Sequence, residues 1–361
     1  MKCEIITIYS LNYGNRLQNY ALQETLKKLG LKVCTNRNTG NIKLKRIKEL
    51  IKSLRHKHVA DYFSYFDTNN ITFKYSQKEC KDAKSVDFYI AGSDQIWNPL
   101  FQFNSDREFL TFTSADKKIA YAASIGITEL SDVQKKRFIN NLSDFHAISV
   151  RESSAADMIC DLVGKRPSVV LDPTMLLTEE EWEKIGEQSR IKIDEPFIVK
   201  YFLGIRNSNI EQKIELFAQQ SGYKIIDITD EKISSIIGPA EYVHLFQKSK
   251  MNFVDSFHGT VFSIIFNKPF YTFSRPNENG YGDMNSRFES IFSLFQINDR
   301  YIDDLADIKF LEQMNYEKVN KILENERLKS INFLKNAMNL SQSDINLKSQ
   351  NVNMEKQYVK D

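Results

Sequence analysis

The segment Asp255-Ser256-Phe257-His258-Gly259-Thr260 combines residue types that can do chemistry, and it falls where an apolar strand ends and a helical pattern begins. A helix N-terminus offers free N–H groups and the positive end of the dipole, which favour phosphate or carboxylate. Ser256, Gly259 and Thr260 are therefore candidate anion-binding positions, with Gly259 allowing close backbone approach. His258 titrates near neutrality, as proton transfer requires. A histidine that ties down a loop is the competing reading, but the strand–His–Gly–helix context favours catalysis. Ser149-Val150-Arg151-Glu152 repeats the strand-to-helix setting, and the planar fork of Arg151 suits bidentate recognition of carboxylate or phosphate. An ion pair between Arg151 and Glu152 is an equal alternative. At a third strand end stand Ser93, Asp94, Gln95 and Trp97. Asp94 and Gln95 can hydrogen-bond sugar hydroxyls while Trp97 stacks on the ring, although for Trp97 taken alone a core position is preferred. Asn15 and Gln18, in the loop that opens the first helix, are further polar candidates.

Strand and helix patterns alternate around these residues. Ile5–Tyr9 reads as a buried strand, Leu17 to Leu29 as a helix ending at Gly30, and Leu31–Cys34 as the next strand. Val86–Ala91, Lys118–Ala123, Ala147–Val150 and Ser168–Leu171 continue the series, each running into polar residues. A second series starts near Pro196, with strands at Phe197–Phe202, Lys224–Ile228, Asn252–Asp255 and Phe270–Phe273. The pattern predicts two successive α/β units with parallel sheets. The expected division is an N-terminal domain over 1–177, a linker over 178–195 and a C-terminal domain over 196–315. A helix over 316–340 and a polar tail over 341–361 complete it. Such a pair places a ligand cleft at the carboxyl ends of its strands.

Composition narrows the function. Of 361 residues, 49 are Lys or Arg and 47 Asp or Glu, a net charge of +2. A nucleic-acid binder would show a larger or more segregated basic excess, so no nucleic-acid partner is expected. Cys3, Cys34, Cys80 and Cys160 show no metal spacing, and no carboxylate cluster is evident, so neither a metal nor another cofactor is expected. The G-x-G-x-x-G and G-x-x-x-x-G-K-[ST] patterns are both missing, which disfavours a nicotinamide dehydrogenase and a P-loop enzyme. No apolar run approaches membrane-spanning length and no signal segment opens the chain, so a cytoplasmic location is expected. Lys43–Lys57 carries seven Lys/Arg beside Leu44, Ile47, Ile51 and Leu54. That helix either packs its stripe on its own domain or makes a peripheral contact with the inner face of an anionic membrane.

Taken together, the motifs resemble the polysaccharide pyruvyl transferase family. The matching pieces are Tyr13-Gly14-Asn15, Leu17–Gln23, Gly92–Asn98, Ser149–Glu152, Leu171-Asp172-Pro173-Thr174 and Asp255–Gly259, in family order. The resemblance implies a fold similar to the GT-B glycosyltransferases, with two Rossmann-like domains facing a cleft. It also implies transfer of a pyruvyl group from phosphoenolpyruvate to two hydroxyls of a surface-polysaccharide sugar or its lipid-linked precursor, forming a ketal. Family members bind the donor with arginines and a histidine, and Arg151 and His258 match those positions. Many members carry Arg-Leu-His where this chain has Ser256-Phe257-His258, so one arginine is missing there. Arg275 and Arg287 are the candidates to replace its charge. In this reading His258 is the general acid and Asp94 orients or deprotonates the acceptor. Asn15, Gln18, Ser93, Gln95 and Trp97 bind the acceptor. Two rivals remain at this point. One is a nucleotide-sugar glycosyltransferase of the same fold, reading its nucleotide with Gly238–Tyr242. The other is a non-catalytic carbohydrate-binding protein, which would need the aromatics but not Arg151 and His258.

Overall fold

The computed structural model describes residues 1–36, 57–74, 86–101, 105–204, 208–275, 285–302 and 314–341. Its first sheet holds β1 (Lys2–Ile6), β2 (Lys32–Thr35), β3 (Phe88–Ala91), β4 (Lys118–Ala123), β5 (Ala147–Val150) and β6 (Ser168–Val169), in the order β2-β1-β3-β4-β5-β6. The second holds β7 (Phe197–Tyr201), β8 (Lys224–Asp227), β9 (Asn252–Val254), β10 (Phe270–Phe273) and β11 (Tyr301–Ile302), in the order β11-β10-β9-β7-β8. Every pairing is parallel; Ile5, for example, sits opposite Thr35 on one side and Ile90 on the other. Strands covered on both faces must be apolar throughout, and all residues of β4 and β7 are buried. The two lysines among them carry their charge to a partner. Lys118 reaches Asp144 at 2.6 Å, and Lys200 pairs with Glu211 and Asp227.

Strand order reverses between β1 and β3 in one sheet and between β7 and β9 in the other. Loops leaving such neighbours go to opposite faces, which opens a crevice at their carboxyl ends. Two such crevices face each other. This is the expected α/β architecture of two Rossmann-like units around a cleft, in a GT-B-like arrangement.

Helices cover the sheets. The first sheet carries α1 (Tyr13–Lys28), α2 (Lys57–Asn70), α3 (Asp132–Leu142) and α4 (Ser153–Val163). Then follow α5 (Glu179–Gly186), α6 (Ser208–Ser221), α7 (Pro239–Lys248), α8 (Phe257–Ile265), α9 (Ser286–Phe295) and α10 (Tyr316–Ala337). The stretch 178–195, expected as a linker, contains α5. Its capping box joins Thr178 and Glu181, and its Trp182 is fully buried. The Trp182 ring lies 5.6 Å from Tyr20 of α1 and 4.9 Å from Phe262 of α8, and its N–H donates to the Thr174 carbonyl at 2.8 Å. One apolar cluster therefore runs from Cys3 and Ile5 through Trp182 to Phe262 and Leu334. The last helix returns to the first sheet. Arg327 donates to the carbonyls of Met175 and Leu177 at 2.9 and 3.1 Å, and Ser330 Oγ accepts from Leu171 N at 3.0 Å. Among the described residues no helix is long and apolar enough to cross a membrane. Apart from Lys57, which opens α2, the basic segment 43–57 lies outside the described residues, as does the tail after 341.

Candidate active site

A cavity of about 260 Å³ occupies the facing crevices. The loop after β1 and the start of α1 supply Ser10, Tyr13, Gly14 and Asn15, and the loop after β3 supplies Asp94 and Gln95. From the second sheet come Ser256, Phe257 and His258 after β9, with Arg275 after β10 and Arg287 at the start of α9. Asn15, Asp94, Gln95, Ser256, His258, Arg275 and Arg287 of the expected set thus meet around one space.

Local sequence explains the placement. Ser256 is extended and caps α8, accepting from Gly259 N, so His258 falls in the first turn. Asp255 accepts from Leu203 N and Gly204 N, both at 2.7 Å, which ties the exit of β7 to the exit of β9. Its carbonyl accepts from Arg275 Nε and Nη2 at 2.9 and 2.6 Å, which fixes that guanidinium at the cavity wall. Gly14 lies against the His258 ring so closely that a Cβ there would stand 2.1 Å from Nδ1. Asp94 takes a positive φ of 69°, a conformation open to Asp when its side chain bonds locally. It accepts from Gln95 N at 2.8 Å and from the Asn15 amide.

Beside the cavity lies a buried charge cluster centred on Asp172. Its Oδ2 accepts from Arg151 Nη1 at 2.7 Å and Ser93 Oγ at 3.0 Å, and its Oδ1 from Thr174 N and Oγ1 at 3.0 and 2.6 Å. Burial pushes the Asp172 carboxyl up, but the His258 and Arg151 charges and the Thr174 bonds outweigh it and hold it at about 2. His258 Nε2 stands 3.7 Å from Asp172 Oδ2, beyond hydrogen-bond range, and is buried without a hydrogen-bond partner. Burial is the largest influence on His258 and lowers its pKa. Asp172 and Asp94 oppose this, while Arg151 and Arg287 add to it. The imidazole is thus neutral at neutral pH. Arg287 is pulled down to about 9, first by burial and then by the Arg151 charge, yet stays a cation. Its two terminal nitrogens face the Gln95 amide at 2.9 and 3.0 Å, which assigns the amide oxygen to that side.

Several expected roles do not hold. Trp97 is fully buried, stacked 5.7 Å from Phe109 with its N–H on the Glu108 carbonyl; it is core and cannot carry a sugar. Gln18 is buried beneath the loop it was expected to serve, donating to Thr7 Oγ1 and the Asn15 carbonyl. Ser93 is likewise buried and holds Asp172. Thr260 bonds Thr272 and the Ser256 carbonyl in the core and does not line the cavity. Gly259 serves packing, since a Cβ would press on Val254 at 3.0 Å. Arg151 faces Asp172 and stacks 4.2 Å over the Phe257 ring, and does not line the 260 Å³ cavity. Nor is Glu152 its main partner, because that carboxylate accepts from Ser124 Oγ, Ile125 N and Gly126 N. Gly238–Tyr242 is no open loop. It starts α7, with Glu241 accepting from Gly238 N and Arg190 N. Asp172 and Gly14 have roles at the site that their motifs do not announce. The signal for Asp172 was its place before Pro173, which reads only as a helix cap, and Asp172 does cap Thr174.

Among the described residues no group of three His, Cys, Asp or Glu is placed to hold a metal ion. A search of curated proteins finds no match to the sequence. Among solved structures, the chain is similar to the UDP-GlcNAc 2-epimerase from Methanocaldococcus jannaschii, at 13% identity and TM-score 0.49 over 90% of this chain and 92% of that one. It is also similar to a glycosyltransferase from Rickettsia africae, at 11% identity and TM-score 0.40 over 100% and 99%. A third likeness is to the ADP-heptose lipopolysaccharide heptosyltransferase II of E. coli, at 11% identity and TM-score 0.37 over 90% and 99%. The family model for polysaccharide pyruvyl transferases matches residues 12–277, from the cap of α1 to just past Arg275, and the chain belongs to that transferase family.

Proposed function

We propose that the chain transfers the pyruvyl group of phosphoenolpyruvate to two hydroxyls of a surface-polysaccharide sugar or its lipid-linked precursor, forming a ketal. The observation that carries this reading is the meeting of Arg275, Arg287 and His258 around one small cavity between the sheets. Phosphoenolpyruvate has a phosphate, a carboxylate and an enol carbon that must be protonated before the adjacent carbon becomes electrophilic. Two guanidiniums held apart by Asp255 and Gln95 suit its two anionic ends. Bound anions lower the cost of charging His258, so donor binding draws from solvent onto His258 the proton that the methylene needs. One sugar hydroxyl then adds to the electrophilic carbon, and the second displaces phosphate. Of the two hydroxyl protons, one replaces that given by His258 and the other leaves on phosphate. Asp94, held by Asn15, orients the attacking hydroxyl. The scheme draws on side chains and substrates alone, with no cofactor.

A thermal-shift comparison tests the donor. Phosphoenolpyruvate should raise the melting temperature and UDP-sugars should not. Stabilisation by nucleotide sugars alone would replace this reading with glycosyl transfer.

A further inference from the structure

The reaction just described leaves a larger cavity unused. It measures about 540 Å³ and lies between the start of α4, the end of β6 and α9, with Glu326 of α10 at one side. Phe257 and Arg287 line it and the 260 Å³ cavity alike, so the two cavities adjoin at these residues. We propose that this cavity binds the acceptor as a neutral pyranose ring whose reacting hydroxyls reach past Phe257 and Arg287 toward Asp94; the inference rests on the adjoining cavity being the donor site.

Three observations carry it. The first is size. The smaller cavity suits a three-carbon phosphate, and the larger lies within the range of small-ligand sites, roughly 300–1,000 Å³. The second is lining chemistry. Ser153, Ser154 and Ser293 can both donate and accept, while Glu289, Glu326 and Ser290, whose proton goes to the Ser286 carbonyl, only accept, which matches a ring whose hydroxyls do both. Arg151 and Arg287 line the cavity too, but the three carboxylates of Asp172, Glu289 and Glu326 outnumber them, so the lining has no surplus of positive charge for a second anion. Val170, Leu171, Met175, Ile291 and Leu294 offer apolar surface for the C–H face of a sugar. The third is unused bonding capacity. The hydroxyls of Ser154 and Ser286 are buried without a hydrogen-bond partner, and Ser286 is only 5% exposed. This assignment also moves the acceptor away from Gln18, Ser93 and Trp97, which are buried in structural roles.

The test is saturation-transfer NMR on the full chain with methyl glycosides of glucose, galactose and mannose, with and without phosphoenolpyruvate. The methyl groups of the apolar wall should pass saturation to at least one glycoside. Ser293→Trp, at an exposed position of α9, fills the cavity and should weaken binding roughly tenfold or more. Glu289→Ala, also exposed, should weaken it in the same direction and serves should the tryptophan variant fail to fold. Absence of transfer from the wild type to every glycoside, or equal transfer from the variants, overturns the proposal. Melting shifts with phosphoenolpyruvate in the same samples should be equal in wild type and variants. A wild type that phosphoenolpyruvate does not stabilise would sink the donor reading while the sugar result stands separately.

Discussion

At the residue scale, Asp172 and His258 share one buried environment with opposite consequences. Asp172 stays ionised because Arg151 bonds it directly, so removing that partner strands a charge. Arg151→Met should cost about 3–5 kcal/mol in denaturant unfolding, the range for breaking a buried pair. A loss below about 1 kcal/mol would show that the pair contributes little. His258 has the reverse sign. Its folded pKa lies below the unfolded value near 6.5, so in the window between them the unfolded chain binds a proton the folded chain refuses. This group's contribution to stability is therefore full above about pH 6.5 and falls as the pH drops through that window. Donor binding should reverse the shift. Calorimetry in two buffers of different ionisation enthalpy should show proton uptake with phosphoenolpyruvate, and none in His258→Asn. The same variant should keep its fold and lose about 10²–10⁴-fold in phosphate release.

At the element scale, the site is made by helix starts that touch across the cleft. The first turn of α1 presses Gly14 on the His258 ring, which lies in the first turn of α8. Gly14→Ala should drive the imidazole from its place and lower turnover by about 10²-fold, the penalty typical of small misplacements at a reacting centre. Gly222→Ala is the control. Its φ is +67° with nothing within 4 Å, so it should cost about 1 kcal/mol in stability and leave turnover unchanged. Equal turnover in Gly14→Ala and wild type would show that the contact does not position His258.

At the scale of the whole molecule, the two sheets are joined by packing. Trp182 touches α1 and α8 together and sits in a cluster that draws on both sheets. Trp182→Ala should cost about 3–5 kcal/mol, as large buried aromatics do. Because one core spans both units, calorimetry should show a single unfolding transition whose midpoint the variant lowers. Two resolved transitions in the wild type would contradict that continuity.

Most strand positions, the two α/β units and the strand ends that carry His258, Asp94 and Arg275 follow from the sequence by itself. The first strand, expected at Ile5–Tyr9, instead spans Lys2–Ile6, and neither β11 nor the helix that carries Arg287 is among the expected elements. Apolar runs ending in polar, Gly-bearing turns are local signals, and parallel sheets put such turns at one end. What faces what is a different matter. Whether Trp97 meets a sugar or Phe109, and whether Arg151 meets a donor or Asp172, depends on chain segments far away in sequence. The same holds for 178–195: its acidic residues read as a tether, while Trp182 within it anchors both units. Local pattern fixes which face of an element is apolar. Burial, charge partner and cavity arise only when elements distant in sequence close on one another, and that the tertiary structure alone decided.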